Sequence, residues 1–367
     1  MEHPKNHKSN GGEEEEDRLS RLPNDVIHRI FYFLHDTRTA ARTAVLSKRW
    51  RNLWTLLPDL SFRYSSDNFL PYALLRRDQH CPVCSFYLFT YPESGDYALD
   101  LRDWAVAYAV RHGVCHLDLR HPHDGIRSIV PPALLTCQTL KTLTLAAVDV
   151  SELSSACFHT VTTLRLEWCG FHRGFFDVSA IFPNLADLRL DKVDFDGGSQ
   201  GLGKGGVMEV SGTKLVYFSM RKVCCDRVKL CAPNLVDFSW SIDASGVVSD
   251  FFEIDIPSLQ RAQLLAYLPD DGDKLLKLLN GVGNANAESL TINARPIEVL
   301  VTARLFMNQT SPFRKLKSLK LILESEGNRE RFEKIKQYFL MGTPHPQSVE
   351  IVSLGSEKDG DGTLWKH

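Results

Sequence analysis

Apolar residues recur along most of the chain at positions i, i+3 and i+5 of a repeating unit. The units start 20 to 33 residues apart. The start positions are Val114, Leu140, Val161, Leu185, Leu215, Leu235, Leu259 and, in weaker copies, Ala287, Leu316 and Val349. A unit of this size cannot bury its apolar face alone, so the pattern predicts a solenoid in which each unit covers the next.

Four consecutive units extend the pattern to i+8 and i+10. The added pairs are Val148 and Val150, Cys169 and Phe171, Val193 and Phe195, and Val223 and Cys225. In each unit i+3 and i+5 are expected to point inward from a short strand, so that i+2, i+4 and i+6 point outward onto a concave face.

The outward positions are almost wholly polar. The i+4 positions are Asp118, Thr144, Arg165, Arg189, Ser219, Ser239, Gln263, Thr291 and Lys320. Arg165, Arg189, Tyr217 and Arg221 form the densest cluster of residue types that dominate binding interfaces, which makes them candidate substrate-binding residues. The alternative is that the arginines pair with Glu167, Asp187 and Asp191 across neighbouring strands.

A different, helical pattern occupies the stretch from Asp17 to about Leu60. Apolar residues from Val26 to Leu34 recur at intervals of three and four, with Asn24 as a candidate N-cap. A second short helix is expected from about Thr39 to Thr43, and a third carries Val45, Leu46, Trp50, Leu53 and Trp54 before Pro58. Three short helices build only a small core. Their surplus of aromatic residues indicates a face that a partner completes.

The segments around these two regions divide the rest of the chain. Residues 1–16 predict a disordered acidic tail, and residues 355–367 a flexible C-terminal tail. Residues 61–113 are interpreted as a linker and N-terminal cap of the solenoid, with an amphipathic helix from Tyr97 to His112 and Gly113 as its C-terminal cap. A helix from Arg329 to Leu340 is expected near the end of the solenoid, which spans residues 114–354.

Charge separates the same segments. The chain has 367 residues and a net charge of −2, so there is no overall basic field for nucleic acid or an anionic membrane. Residues 1–16 carry five glutamates and two lysines, whereas residues 17–60 carry eight lysines and arginines against four aspartates. The near-neutral total is therefore a cancellation between an acidic tail and a basic helical module.

The helical module resembles the F-box of plant F-box proteins. The resemblance rests on Leu22-Pro23, on Ile30-Phe31, and on the run Val45-Leu-Ser-Lys-Arg-Trp-Arg-Asn-Leu-Trp54. It implies docking onto a Skp-type adaptor held by a cullin and a RING subunit. Carried over position by position, the implied adaptor-binding residues are Leu22, Pro23, Ile27, Ile30, Phe31, Leu34, Trp50 and Trp54. The same side chains, Ile30 and Trp50 above all, also suit the core of the module.

The repeats resemble the degenerate leucine-rich repeats that follow plant F-boxes. Their Leu-x-x-Leu-x-Leu core is present, while Val or Cys stands where an asparagine is expected later in the unit. The expected fold class is therefore α/β: a short three-helix F-box at residues 17–60, followed by a leucine-rich-repeat solenoid of about ten irregular repeats.

Other candidate chemistry is weak. Gly198 to Gly205 approaches a phosphate-binding P-loop but lacks its Ser/Thr and a following helix, so a flexible insertion is expected. Cys81 and Cys84 have the spacing of half a zinc site, which His112 and Cys115 would complete only by coincidence of fold. No catalytic motif stands out, so we expect no cofactor, no metal and no enzyme activity.

Nine cysteines, an odd number at irregular spacing, favour free thiols in the cytoplasm or nucleus. The leading functional hypothesis is a non-catalytic substrate-recognition subunit of an SCF (Skp–cullin–F-box) ubiquitin ligase, whose solenoid recruits a target protein. The alternatives are a ligand-dependent F-box receptor, in which Arg165, Arg189, Lys192, Arg221 and Lys222 hold an anion, and an adaptor-binding scaffold without a ubiquitination target.

Overall fold

The structure is a computed structural model. It describes residues 19, 21–34, 36–64, 69–90, 95–122, 127–172, 175–195, 206–242, 248–266, 272–285, 287–293, 311–323, 336–339 and 348–353. Both predicted tails, the glycine-rich stretch 198–205 and most of the predicted C-terminal helix lie outside these residues. Of that helix, residues 336–339 are described and are helical.

Short helices form the N-terminal region. They are α1 (Asn24–Leu34), α2 (Thr37–Arg42) and α3 (Trp50–Leu53), with 3-10 turns at Thr43–Val45 and Trp54–Leu56. Asp36 caps α2, since its carboxylate accepts from the backbone N–H of Thr39 at 3.0 Å. The third helix is shorter than the sequence pattern predicts, because only one α-helical turn separates the two 3-10 turns.

A parallel sheet of twelve strands follows, and strands adjacent in the sheet come in chain order. Its strands are β1 (Asp59–Tyr64), β2 (Ser85–Thr90), β3 (His116–Arg120), β5 (Thr142–Ala146), β7 (Thr163–Glu167), β9 (Asp187–Asp191), β11 (Tyr217–Arg221), β13 (Asp237–Ile242), β15 (Arg261–Ala266), β16 (Ser289–Asn293), β17 (Ser318–Leu323) and β18 (Ser348–Ser353). The chain is thus of mixed α/β type.

The register aligns equivalent positions of successive repeats. Leu117 pairs with Leu143, Leu143 with Leu164, and Leu164 with Leu188. The i+3 and i+5 residues of the first nine predicted copies lie on these strands and are buried. The apolar period therefore marks the strands and the face of each strand that packs inward.

The tenth copy was predicted in the wrong register. Val349 pairs with Leu319 and Ile351 with Leu321, so Val349 and not Val352 occupies the i+3 position. An odd shift turns the side chains to the opposite face. Ile351 is 48% exposed at this edge of the sheet, so the burial that fixes the register of inner strands is weak here.

The segments between the strands of the large sheet form helices and smaller sheets. They are α4 (Phe69–Arg76), α5 (Gly95–Arg111), α6 (Val178–Ile181), α7 (Gly272–Asn284), the pair β4 (Ser128–Ile129) and β6 (Val148–Asp149), and a parallel sheet of β8 (Phe175–Asp177), β10 (Val207–Ser211), β12 (Cys225–Cys231) and β14 (Val248–Asp255).

The i+8 and i+10 residues pack beneath the sheet. All four predicted pairs, from Val148 and Val150 to Val223 and Cys225, are at most 4% exposed. Cys169 illustrates how Cys replaces the expected asparagine, because its thiol contacts the carbonyl of Leu145 at 3.4 Å. Burial raises the pKa of this thiol to about 12, which keeps it protonated.

The sheet begins earlier than the predicted start of the repeats at Val114. β1 pairs in parallel with β2, and β2 with β3; β2 and most of β1 lie inside the stretch interpreted as linker and cap. α5 covers nearly the predicted helical segment, and Gly113 after it has φ +79°, a conformation that favours glycine at a helix end.

A buried arginine joins the N-terminal helices to the sheet. Arg77 is 3% exposed, and its guanidinium donates to the carbonyls of Leu57 (2.8 Å), Cys81 (2.7 Å) and Pro82 (2.6 Å). It also contacts the hydroxyl of Tyr108 on α5 at 3.4 Å. These bonds tie the end of the helical module to the start of the repeats.

Candidate functional site

The adaptor-binding residues expected from the resemblance fall into two groups. Ile27, Phe31, Trp50 and Trp54 are 0%, 3%, 2% and 5% exposed and belong to the continuous core. Phe31 and Trp50 pack edge to face with ring centroids 5.5 Å apart. A partner cannot reach these four side chains in this conformation, so they support the surface from beneath.

The other four expected residues are accessible to different degrees. Leu22, Ile30 and Leu34 are half-buried against the core, and Pro23 is exposed. The same module also exposes apolar side chains that the resemblance did not single out. They are Leu19, Val26 (41%), Tyr32, Phe33 (59%), Val45 (88%), Leu46 (47%) and Leu56.

The basic residues of the module do not build a single charged site. Arg49 donates to the side-chain oxygen of Asn24 from its Nε at 3.0 Å, which links the start of α1 to the turn before α3. The guanidinium of Arg29 stacks on Phe33 at 5.7 Å. Exposed apolar side chains are therefore the main unsatisfied feature of this surface.

The outward face of the twelve-stranded sheet, hereafter the open face, brings the second predicted set onto neighbouring strands. Arg165 of β7 pairs with Arg189 of β9, and Tyr217 of β11 pairs with Asp187 of β9. Arg189 bonds Asp187 at 3.0 Å and stacks on Tyr217 at 4.6 Å. Most of this cluster is therefore engaged within the chain.

Ion pairs continue along the open face. Arg221 bonds Asp191 and Arg261 bonds Asp237, each through two guanidinium nitrogens. Arg120 bonds Asp118 at 2.8 Å and Glu167 at 2.7 Å. Arg165 differs from all of these, because none of its nitrogens has a hydrogen-bond or ion-pair partner in the described part of the chain, and its Nε is buried.

The carboxyl group of Asp118 is partly buried. Burial raises the pKa of its carboxyl, and this effect outweighs the attraction of Arg120, while Glu167 adds repulsion. The group lies at the floor of an open groove of about 860 Å3 between the helical module and the sheet.

The groove has a helical wall and a floor formed by the sheet. His28, Tyr32 and Thr37 contribute from α1 and α2, and the floor runs across β1, β2, β3, β5 and β7. Sequence reasoning missed it, because its two sides come from different parts of the chain. Several of its floor residues occupy positions that were predicted to face outward: His116, Asp118, Thr142, Thr144 and Arg165.

Cys81 and Cys84, the candidate half of a zinc site, both lie within the described ranges. No group of three or more His, Cys, Asp or Glu side chains there is placed to hold a metal ion. Hydrogen bonds join the backbones around Cys84, His112 and Cys115, but the ring of His112 is bonded to the carbonyl of Tyr108 at 2.7 Å. All nine cysteines lie within the described residues and are free.

No helix in the described residues is both long and apolar enough to span a membrane.

Comparison with known proteins identifies the helical module. The family model of the F-box domain matches residues 19–61. This match covers α1 to α3 and all eight side chains expected to form the adaptor-binding surface.

Relatives in Arabidopsis thaliana extend the match beyond the module. An F-box/LRR-repeat protein is 33% identical over 79% of this chain and 94% of its own length. A putative F-box/FBD/LRR-repeat protein and F-box/LRR-repeat protein 25 are each 30% identical, over 50% and 48% of this chain. The chain spans only 42% and 62% of the lengths of these two.

No solved structure matches the chain. A relative matched over nearly its whole length, a matching F-box and a periodic parallel sheet agree with one another, and the chain belongs to the plant F-box/LRR-repeat proteins.

Proposed function

We propose that this chain is the non-catalytic substrate-recognition subunit of an SCF-type ubiquitin ligase. In this proposal the F-box docks a Skp-type adaptor held by a cullin and a RING subunit, and the solenoid presents a target protein. Proximity would then supply the rate enhancement, because the target's lysines are held near the conjugating enzyme. The three-helix form of the F-box and an array of about ten leucine-rich repeats are parts of the same proposal.

The exposed apolar side chains of the F-box carry the proposal. Large contiguous apolar surfaces are rare on isolated soluble proteins and mark interaction sites. Val45, at 88% exposed, Leu46 and Val26 are in contact with water. The adjacent helices α1 and α3 nevertheless bury Phe31 and Trp50 in the core. Burying these side chains against an adaptor would remove their apolar surface from water, which is favourable.

The adaptor-binding surface is therefore revised from the set expected by resemblance. Leu22, Pro23, Ile30 and Leu34 remain candidate contacts, and Val26, Val45 and Leu46 join them. Ile27, Phe31, Trp50 and Trp54 are proposed to act indirectly, since each fixes a helix from within.

The test is co-purification of the full chain with a Skp-type adaptor. Val45→Asp/Leu46→Asp places two charges on the proposed surface and is expected to abolish capture, because charges buried without partners are costly. Leu22→Ala/Pro23→Ala is expected to weaken it. Leu75→Asp is the matched control, since Leu75 is 73% exposed on α4, outside the F-box.

The control should retain the adaptor, and all variants should unfold at the wild-type temperature. Capture at the wild-type level by both F-box variants would contradict the docking assignment. A rise in the half-life of captured proteins on adding the adaptor would instead favour a scaffold without a ubiquitination target.

The open face gives no support to an anion-dependent receptor. Arg189 and Arg221 are bonded to aspartates, and the ammonium of Lys192 lies 3.6 Å from the ring centroid of Trp168. The predicted basic cluster is thus largely engaged before any ligand arrives. The free thiols support a reducing compartment, and we propose the cytoplasm or nucleus.

A further inference from the structure

The groove between the F-box and the open face has the length of a short extended peptide. Register places Ser61, Tyr87, Asp118, Thr144 and Arg165 side by side across its floor. Five strands spaced by about 4.8 Å span roughly 19 Å. An extended segment of about six residues, at about 3.3 Å each, covers that distance.

Arg165 lies at one end of this floor and, together with the exposed Arg63 of β1 at the other end, differs from the remaining arginines of the open face in the described ranges. Arg120, Arg189, Arg221 and Arg261 each bond at least one carboxylate. Arg165 bonds none among the described residues, although its Nε is buried. Buried donors without partners are uncommon and destabilising, so a missing acceptor is indicated.

Neighbouring acids do not supply that acceptor. Asp118 lies close enough for electrostatic attraction to Arg165, but its carboxylate is hydrogen-bonded to Arg120 at 2.8 Å. Asp36, also in the groove, is occupied as the cap of α2. The positive charge of Arg165 therefore remains available to a ligand.

The helical wall contains a second unpartnered group. His28 of α1 lines the groove, and its Nε2 is buried with no hydrogen-bond partner in the described ranges. This nitrogen can donate or accept, according to the tautomer. The floor and the helical wall thus each contain a polar atom that has no hydrogen-bond partner among the described residues.

The chemistry favours one carboxylate over a highly charged anion. A guanidinium binds a carboxylate through two parallel hydrogen bonds, and one such pair suffices for a single acidic side chain. A phosphate-rich ligand needs several free cations close together, whereas the nearby Arg120 and Arg189 are already bonded to carboxylates and Arg63 lies four strands away from Arg165. The length of the floor favours a polypeptide over a small molecule.

We propose that this groove binds an extended segment of the target protein that carries an acidic side chain, with Arg165 as its anchor. The inference rests on the proposed function, since it names the site at which the recruited target is held. The F-box then contributes His28 and Tyr32 to target binding, in addition to its adaptor surface.

The test uses the full chain and a positional library of octapeptides with an N-terminal dansyl label, which carries no carboxylate, and an amidated C-terminus. Blocking both ends leaves side chains as the only source of carboxylates. Wild type is expected to prefer Glu or Asp over Gln or Asn at one position by about tenfold or more, as expected for a hydrogen bond to a charged group. Arg165→Gln should remove this preference, and Arg165→Glu should shift it to Lys or Arg.

Arg261→Gln is the matched control, because Arg261 lies on the same face but outside the groove and is bonded to Asp237. It should keep the acidic preference. A wild type that binds no peptide, binding without an acidic preference, or a preference that survives Arg165→Gln would each overturn the inference. Adaptor capture, measured on the same preparations, should stay at the wild-type level, and its absence in wild type would count against the proposed function instead.

Discussion

The F-box and the open face of the sheet expose different kinds of side chain to solvent. On the open face nearly every outward side chain is polar, and arginines such as Arg221 and Arg261 are neutralised by aspartates of the same chain. The F-box instead leaves Val45, Leu46 and Phe33 uncovered. The repeat array stabilises itself from unit to unit, whereas the F-box leaves apolar side chains exposed that the proposed adaptor would cover.

The largest expected effect is a loss of stability in the core of the repeat array. Phe171→Ala should lower the free energy of unfolding by about 3–5 kcal/mol, because Phe171 is fully buried against Phe176 and Phe195. Urea unfolding measures this loss. Phe175→Ala, which removes a neighbouring ring that is 51% exposed, should change it by less than about 0.5 kcal/mol. Similar losses in the two variants would contradict the assigned core.

The junction between the regions should be the next most sensitive place. Arg77→Leu is expected to cost about 2–3 kcal/mol, since it leaves the carbonyls of Leu57, Cys81 and Pro82 without their charged donor. The neighbouring exposed Arg76 gives the control variant Arg76→Leu, for which thermal unfolding should remain near wild type. An equally small effect at both positions would show that Arg77 does not hold the junction.

The ion pairs of the open face should matter much less. A double-mutant cycle of Arg261→Gln and Asp237→Asn is expected to give a coupling energy of about 0.2–1 kcal/mol, because Arg261 is 60% exposed. The coupling should shrink in 1 M salt, where charges are screened within about 3 Å. A coupling that is larger and independent of salt would mean that this face is less solvated than the structure shows.

The smallest effect concerns pH. Because burial raises the pKa of Asp118 in the folded chain above its ordinary value of 3.8, the folded state holds this proton more tightly than the unfolded state. Ionisation of Asp118 therefore destabilises the fold as the pH rises through the raised pKa. Urea unfolding at several pH values between 4 and 7 should show wild type losing stability relative to Asp118→Asn. A difference that is constant or grows with pH would contradict this sign.

The inward face of the sheet could be predicted from the sequence because a single local rule governs it. Leu143 and Leu145 recur with the same spacing as Leu164 and Leu166, and burial on one side fixes the register. At Val349 that burial weakens and the prediction was wrong.

Features that no residue type marks could not be predicted. Ala147, Trp168, Lys192 and Lys222 all have φ between 52° and 57° at the same position of successive repeats, without the glycine that signals this conformation. Arg77 bonds carbonyls, which every residue carries, so its type does not reveal its partners.

The candidate site also has features that the sequence predicts and features that it does not. An apolar helical stripe places Ile27 and Phe31 on one face of α1, but it does not say whether the chain or a partner covers that face. The outward direction of Arg165 follows from the period of the strand. Its lack of a partner depends on which carboxylates the folded sheet brings near, and the groove depends on how α1 meets β1 to β7.

Amide hydrogen exchange of the full chain, with and without a saturating Skp-type adaptor, tests the central contrast most directly. We expect added protection in α1 to α3 and in the turn containing Val45 and Leu46, because the proposed adaptor covers the exposed apolar side chains there. Protection of the strands from β9 to β15 should be unchanged. Protection of those strands without protection of the F-box would contradict the account.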